Sequence, residues 1–225
     1  MVVVIVLIDV KADSRLWGFA RFVIGRFSMM GIPGLRFFKV LGSGADGGFG
    51  LKPSPSRQGL FCVFDSEAHA DAFIQSSKVV AQYRAHAREF LIAKLEAYSC
   101  KGTWSGHTID VTAIPPSSGP IAALTRASIR PTKARRFWRH APPAEDSLGN
   151  ATGCLLAVGL GEAPIFRQAT FSVWESLDAM NAYARTGAHL EAIKASLSGG
   201  HFSESMFVRF QPRMISGRWK GQSFA

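Results

Sequence analysis

The chain has 225 residues, 47% of them hydrophobic, and a mean hydropathy of +0.11; this is enough apolar material for a sizeable core and excludes wholesale disorder. A net charge of +10 points to anionic partners, while the three cysteines, Cys62, Cys100 and Cys154, lack metal-ligand spacing and leave one over. That usage argues against a zinc site and suits a reducing cytoplasm, and the opening 1–8 run, with no basic flank and ending in Asp9 and Lys11, is expected to be neither signal peptide nor membrane span.

Residues 2–10 are a continuous β-branched run, as in a strand buried on both faces. Lys11-Ala12-Asp13-Ser14 supplies capping residues for a helix through about Met29, and Gly31-Ile32-Pro33-Gly34 stops it. This helix carries Leu16, Trp17, Phe19, Phe22, Val23, Ile24, Phe27 and Met29 with only Arg15, Arg21 and Arg26 as charges. Burial against a sheet is the simpler explanation; contact with a membrane interface or a lipid-like ligand is the other. Residues 35–41 and 59–64 read as strands around a Gly/Pro/Ser-rich loop, Ser66 caps a helix running into His86 and Arg88, and 90–98 has weak strand character. Further strands are predicted at 121–129, 154–160, 168–174 and 205–210, with helices at about 132–139, 177–184 and 187–197. Between 126 and 140 lie Arg126, Arg130, Lys133, Arg135, Arg136, Arg139 and His140, interleaved with Phe137 and Trp138. The patch suits phosphates, an anionic membrane or an acidic protein, or is a solvated helix face; with no helix-turn-helix, zinc finger or RNP strand beside it, nucleic acid is not favoured.

Four landmarks recur in the same order. Phe61-Cys62-Val63-Phe64-Asp65-Ser66 is echoed by Phe171-Ser172-Val173-Trp174-Glu175-Ser176, and Arg15-Leu16-Trp17 by Arg136-Phe137-Trp138. Gly42-x-Gly44 matches Gly159-x-Gly161, and Gly102-x-Trp104-x-Gly106 matches Gly217-x-Trp219-x-Gly221. The order implies an α+β protein of tandem ferredoxin-like βαββαβ repeats, 1–110 and 111–225. Each unit would leave one apolar sheet face bare, so the two are expected to close into a pseudo-symmetric α/β barrel with helices outside; independent domains are the alternative.

With this layout, Pro120-Ile121-Ala122-Ala123-Leu124-Thr125-Arg126-Ala127, Val158-Gly159-Leu160-Gly161-Glu162-Ala163-Pro164, Gln168-Ala169-Thr170-Phe171-Ser172-Val173-Trp174 and His189-Leu190-Glu191-Ala192-Ile193-Lys194 resemble the spheroidene monooxygenase family. Lys39-Val40-Leu41-Gly42-Ser43-Gly44 and the closing Gly217-Arg218-Trp219-Lys220-Gly221-Gln222 resemble it too. The resemblance covers nearly the whole chain and is densest from Pro120 onward. It implies a haem-dependent monooxygenase that places hydroxyl and then keto oxygen from O2 on an acyclic carotenoid, with electrons from a reduced ferredoxin. An acidic ferredoxin would suit the basic excess, and an apolar substrate would place the protein in the cytoplasm or at the inner face of the membrane. The tandem barrel also resembles chlorite dismutase and aldoxime dehydratase architectures, in which haem lies between sheet and helices. Two alternatives follow: a haem enzyme of dehydratase type on a small nitrogen compound, and a non-enzymatic barrel binding haem or an apolar ligand.

Haem requires an axial ligand, usually histidine. His189 is favoured as the iron ligand because Ile193 at i+4 and Ala192 at i+3 put an apolar stripe beside it, Ile193 then lying against the cofactor; a surface histidine near Glu191 and Lys194 is the competing reading. His86 is the symmetric alternative in the first repeat and His201 a loop alternative. Alternation places Arg126 with Leu124 on one face of its strand, where an arginine needs a carboxylate, a haem propionate or an iron-bound oxygen species. It is the candidate catalytic residue, against a structural ion pair with Glu162 or Asp146. Phe171 and Trp138 are the candidate walls of the cofactor pocket.

Overall fold

A computed structural model of the protein describes residues 1–48, 52–138, 148–163, 165–185 and 200–224. The described strands are β1 (Val2–Val10), β2 (Leu35–Gly44), β3 (Pro53–Phe64), β4 (Ala87–Gly102), β5 (Ile121–Ile129), β6 (Cys154–Ala163), β7 (Arg167–Trp174), β8 (Phe202–Trp219) and β9 (Gln222–Phe224). All pair antiparallel in the order β4-β1-β3-β2-β6-β7-β5-β8-β9. Because β4 also pairs with β8, from Leu91 opposite Gly217 to Gly102 opposite Met206, eight strands close into a barrel and β9 hangs from β8 as a hairpin. The second seam is short: β2 meets β6 at Gly42 opposite Gly161 and Ser43 opposite Leu160.

Alternation along each strand sorts the side chains. Val3, Ile5 and Leu7 of β1, Phe61 and Val63 of β3, Leu124 of β5, Val158 and Leu160 of β6, Phe171 of β7 and Val208 and Phe210 of β8 point inward and fill one continuous apolar core shared by both halves of the chain. An eight-stranded barrel is just wide enough to be filled in this way. Outside, α1 (Arg15–Ser28), α2 (Glu67–Ser76) and α3 (Lys78–Ala85) lie over the first half, and α4 (Leu177–Ala184) over one end of the second. The fold is α+β, dominated by one large antiparallel sheet.

Three expectations are corrected. The helix after Ser66 is two helices: Ser66 Oγ accepts from His69 N and caps α2, and Ser77 Oγ accepts from Val80 N and caps α3. His86 terminates α3, so Arg88 sits on β4. Strands β4 and β8 run 16 and 18 residues, well past 90–98 and 205–210, because each finds the other along the seam. Finally, α1 buries only part of its apolar side, with Trp17 and Phe22 half-buried against the barrel. Its buried residues are Gly18 and Gly25, which let the helix sit close against Val10 and Val40, while Leu16, Phe19 and Phe27 remain exposed.

Both mouths of the barrel end in the same turn. Gly102, Ser105 and Gly106 have φ of +84°, +52° and +77°; Gly217, Lys220 and Gly221 have +118°, +50° and +80°. Only glycine fits at Gly102 and Gly217, since a Cβ there would stand 2.0 Å from Ser205 O or 2.1 Å from Phe90 O. Each turn delivers a fully buried tryptophan, Trp104 or Trp219, into its mouth.

Candidate functional site

The outer face of the sheet differs between the halves, although the registers correspond rung by rung. In the first half the rungs across β4-β1-β3-β2 are Lys94-Val4-Cys62-Phe38, Ile92-Val6-Leu60-Val40 and Phe90-Ile8-Gln58-Gly42. Val4, Val6, Ile8, Leu60 and Cys62 are sealed beneath the helices. The rungs across β8-β5-β7-β6 are Arg209-Ala123-Ser172-Ala157, Phe207-Thr125-Thr170-Gly159 and Ser205-Ala127-Gln168-Gly161. On β5, β6 and β7 no side chain in these rungs except Gln168 is larger than threonine. Four residues along the strand and two strand spacings across give a floor of about 13 by 10 Å. Its edges are Arg209 and Phe207 on β8, and one end is closed by Ile121, Trp174, Leu148 and Met180. Ser172 Oγ accepts a 2.9 Å hydrogen bond from Trp174 Nε1.

Arg126 occupies the other face. It projects into the barrel mouth, with 3% of its side chain exposed, and is held by Glu204 Oε2 at 2.5 Å and Glu162 Oε1 at 3.5 Å, with its guanidinium 5.5 Å from the Trp104 ring. Glu162 also accepts from Trp104 Nε1 at 2.6 Å and Lys39 Nζ at 2.7 Å. Burial pushes both carboxyls up, but the donors outweigh it. Lys39, Trp104 and Arg126 hold Glu162 below its ordinary value; the amides of Gly106 and Ser105, the Thr103 hydroxyl and Arg126 bring Glu204 down to about 2. The cluster is an ion network that ties β2, β5, β6 and β8 to the Trp104 turn, with Arg126 Nε left without a hydrogen-bond partner among the described residues. Of the two roles weighed for Arg126, this geometry is that of the structural ion pair, with Glu204 as a partner the sequence did not suggest. Arg126 also drops out of the surface patch, from which Arg135 and Arg136 are exposed.

At the opposite mouth Arg57 lies 5.9 Å over Trp219, and the fully buried Asp9 carboxylate pairs with Arg57 and Arg88. Burial raises the Asp9 pKa, but Arg88, Ser56 and Arg57 more than reverse it. Glu89 accepts from Lys220 N at 2.9 Å and Gly221 N at 2.7 Å, matching the way Glu204 accepts from Gly106 N at 2.9 Å. A cleft of about 580 Å³ is lined there by Arg57, Arg88, Glu89, Arg218, Lys220 and Gly221. Its lining is cationic rather than apolar, so it suits anions and not a polyene.

The described sequence-derived candidates are not gathered into one place. His189 and Ile193 lie outside the described residues, as does Asp146. Phe171 is fully buried in the barrel interior, opposite the small-residue floor, so as a pocket wall it cannot serve that face. Trp138 is half-buried after β5, donating Nε1 to Ile165 O at 3.0 Å and packing edge-on to Phe137. His86 is stacked on Trp17 at 4.2 Å, with Nδ1 3.0 Å from Ser14 Oγ. His201 is buried at the start of β8. Among the described residues no group of three or more His, Cys, Asp or Glu is arranged to hold a metal ion. The row Gln168, Thr170, Ser172 on one face of β7 continues across the sheet through Thr125 and Ala123 to Ala157 and Gly159, a continuation that sequence reasoning missed. The signal was present in the small residues at alternate positions of β5 and β6.

No protein-family profile matches the chain. The spheroidene monooxygenase of Rubrivivax gelatinosus is 58% identical over 223 residues, covering 99% of this chain and 86% of that protein. The spheroidene monooxygenase of Rhodobacter capsulatus is 35% identical over 214 residues, covering 93% and 89%. Among solved structures, an aldoxime dehydratase in complex with butyraldoxime aligns with a TM-score of 0.61 at 10% identity, covering 94% of this chain and 79% of that one. A second aldoxime dehydratase gives 0.60 at 11% identity, covering 99% and 83%. At such identities the structural likeness is one of fold, whereas the sequence identity runs almost end to end: the chain belongs to the spheroidene monooxygenase family.

Proposed function

We propose that the protein is a haem-dependent monooxygenase that introduces oxygen from O2 into an acyclic carotenoid such as spheroidene. The reading rests on its relatives' names for the substrate, and on one structural contrast for the cofactor: the small-residue floor of β5, β6 and β7, where the first half carries packed Val, Leu and Phe. A floor of alanine, glycine, serine and threonine leaves room for a flat macrocycle that larger side chains would fill. Ala123, Thr125, Ala157, Gly159 and Thr170 would support the ring, and Arg209, at the β8 edge of the floor, would meet its propionates. The axial ligand is assigned to His189, and the bound iron would supply dioxygen activation. The protein's own part is to order and dehydrate. The Thr125 and Thr170 hydroxyls, paired on the central rung, are donors able to orient an oxygen-bearing ligand, and Trp174, Met180 and Leu148 exclude water from one end.

The electron donor in this reading is a reduced ferredoxin, whose acidic surface complements the cationic mouth at Arg57, Arg88, Arg218 and Lys220. We also infer that the chain arose by duplication of a ferredoxin-like unit, divided near residue 110. The strand orders β4-β1-β3-β2 and β8-β5-β7-β6 correspond position by position, and the twin Gly-x-Trp turns support the same reading.

Reconstitution with haemin tests the cofactor: a Soret band is expected, and His189→Ala should lose it. Colourless protein after reconstitution would end the haem reading. Product analysis with spheroidene, O2 and reduced ferredoxin tests the reaction, and a Soret band without oxygenated product would favour a haem carrier.

A further inference from the structure

We propose that α1 docks the protein onto the surface of an anionic lipid bilayer, lying in the interface with its apolar side down. The helix is seated on the barrel through glycine: a Cβ on Gly18 would stand 3.1 Å from Gln58 Nε2 and 3.2 Å from Val10 Cγ2, and one on Gly25 3.8 Å from Val40 Cγ2. Trp17 and Phe22 flank these glycines and pack toward the barrel, and the remaining large apolar side chains are left on the far side. Leu16, Phe19, Val23, Phe27 and Met30 follow spacings of three and four and form one stripe, with 86, 71, 62, 64 and 69% of their surfaces exposed, and Ile24 beside them at 46%. An exposed stripe of this extent on a folded protein marks an interaction surface.

Charge selects the occupant. The helix contains no Asp or Glu; Arg15 and Arg26 are exposed on it, Lys11 and Asp13 are exposed before it and offset each other, and Arg36 after it pairs with Asp65. Apolar side chains bordered by arginine and lysine suit acyl chains beneath phosphate headgroups, where the long cationic stems reach the headgroup level. A 14-residue helix is about 21 Å long, shorter than the roughly 30 Å hydrocarbon layer, and no described helix is long and apolar enough to cross a membrane. It lies on the bilayer rather than through it. A second copy of the chain is a poorer occupant. A two-fold pairing of α1 would set arginines against arginines with no helix carboxylate to answer them, over a footprint of about 200 Å² where stable interfaces bury about 800 Å² per partner.

Flotation with vesicles tests this without cofactor or turnover, so its outcome is separate from that of the proposed activity. The wild-type protein should float with phosphatidylcholine–phosphatidylglycerol vesicles and much less with phosphatidylcholine alone. Phe19→Ser with Phe27→Ser should reduce partitioning at least tenfold, with an unchanged circular dichroism melt because both side chains face solvent. Arg15→Glu with Arg26→Glu should remove the preference for phosphatidylglycerol. Wild-type protein that stays unbound with anionic vesicles would overturn the proposal, as would a Phe variant that binds equally well. So would a wild-type dimer that dissociates on Phe19→Ser with Phe27→Ser and never floats.

Discussion

The two halves of the barrel use one strand order for opposite ends. Over the first half, Val4, Val6, Ile8, Leu60 and Cys62 pack beneath three helices and are almost wholly buried; the same rungs over the second half are Ala123, Thr125, Ala127, Thr170 and Ser172. Burial of apolar surface is worth roughly 25 cal/mol per Å², so the first face contributes stability that the second gives up. A face that forgoes packing on a sheet built to supply it is where a ligand can be accommodated. The contrast teaches that side-chain size at fixed register separates a packed face from one with room on it.

The sharpest way to break this comparison is to exchange packing for space in the first half. Leu60→Ala should cost about 3 kcal/mol in urea unfolding, because its cavity forms under closely packed helices, yet leave haemin uptake intact. Uptake lost along with stability would deny the division of labour. Arg126→Ala should cost about 2 kcal/mol, since it leaves the carboxylates of Glu162 and Glu204 facing each other at the mouth; Arg126→Met should cost less by retaining the packed stem. In the second half, Ala157→Phe fills the floor and should weaken haemin binding at least tenfold, about 1.4 kcal/mol, with little change in Tm. Equal binding by this variant would move the cofactor off this face. The two sides of α1 give a finer version: Gly18→Val should cost about 1.5 kcal/mol by overpacking against Val10, and Phe19→Ser about 0.5 kcal/mol or less.

The smallest effect is on pH dependence. Asp9, Glu162 and Glu204 all have folded values below their ordinary 3.8, 4.5 and 4.5, with Glu204 at about 2. A depressed carboxyl contributes its full stability above the unfolded value and loses it as pH falls toward the folded one. Unfolding free energy should therefore decline from about pH 4.5 toward pH 2, and Glu204→Gln should flatten that decline; an unchanged slope would remove Glu204 from the network.

Much of the fold was legible because strand alternation and turn chemistry are local. The 2–10 run, 121–129 and the Ser66 cap all appear where the residues placed them, and the paired Gly-x-Trp landmarks prove to be turns. The site was legible only in part. Inward alternation of Arg126 with Leu124 was readable, but not that Glu204, 78 residues away, would meet it. Phe171 has the composition of a pocket wall, yet its parity on β7 commits it to the barrel core.

By itself the sequence determined where most strands lie, the doubled order of landmarks and the family, because periodicity, capping and identity are carried along the chain. Only the tertiary structure decided that β4 and β8 close the barrel, that α1 rests on glycines and turns its phenylalanines outward, and that small residues from three strands lie side by side as one floor. Those are consequences of long-range register, which depends on which backbone edges pair and is written in no single segment.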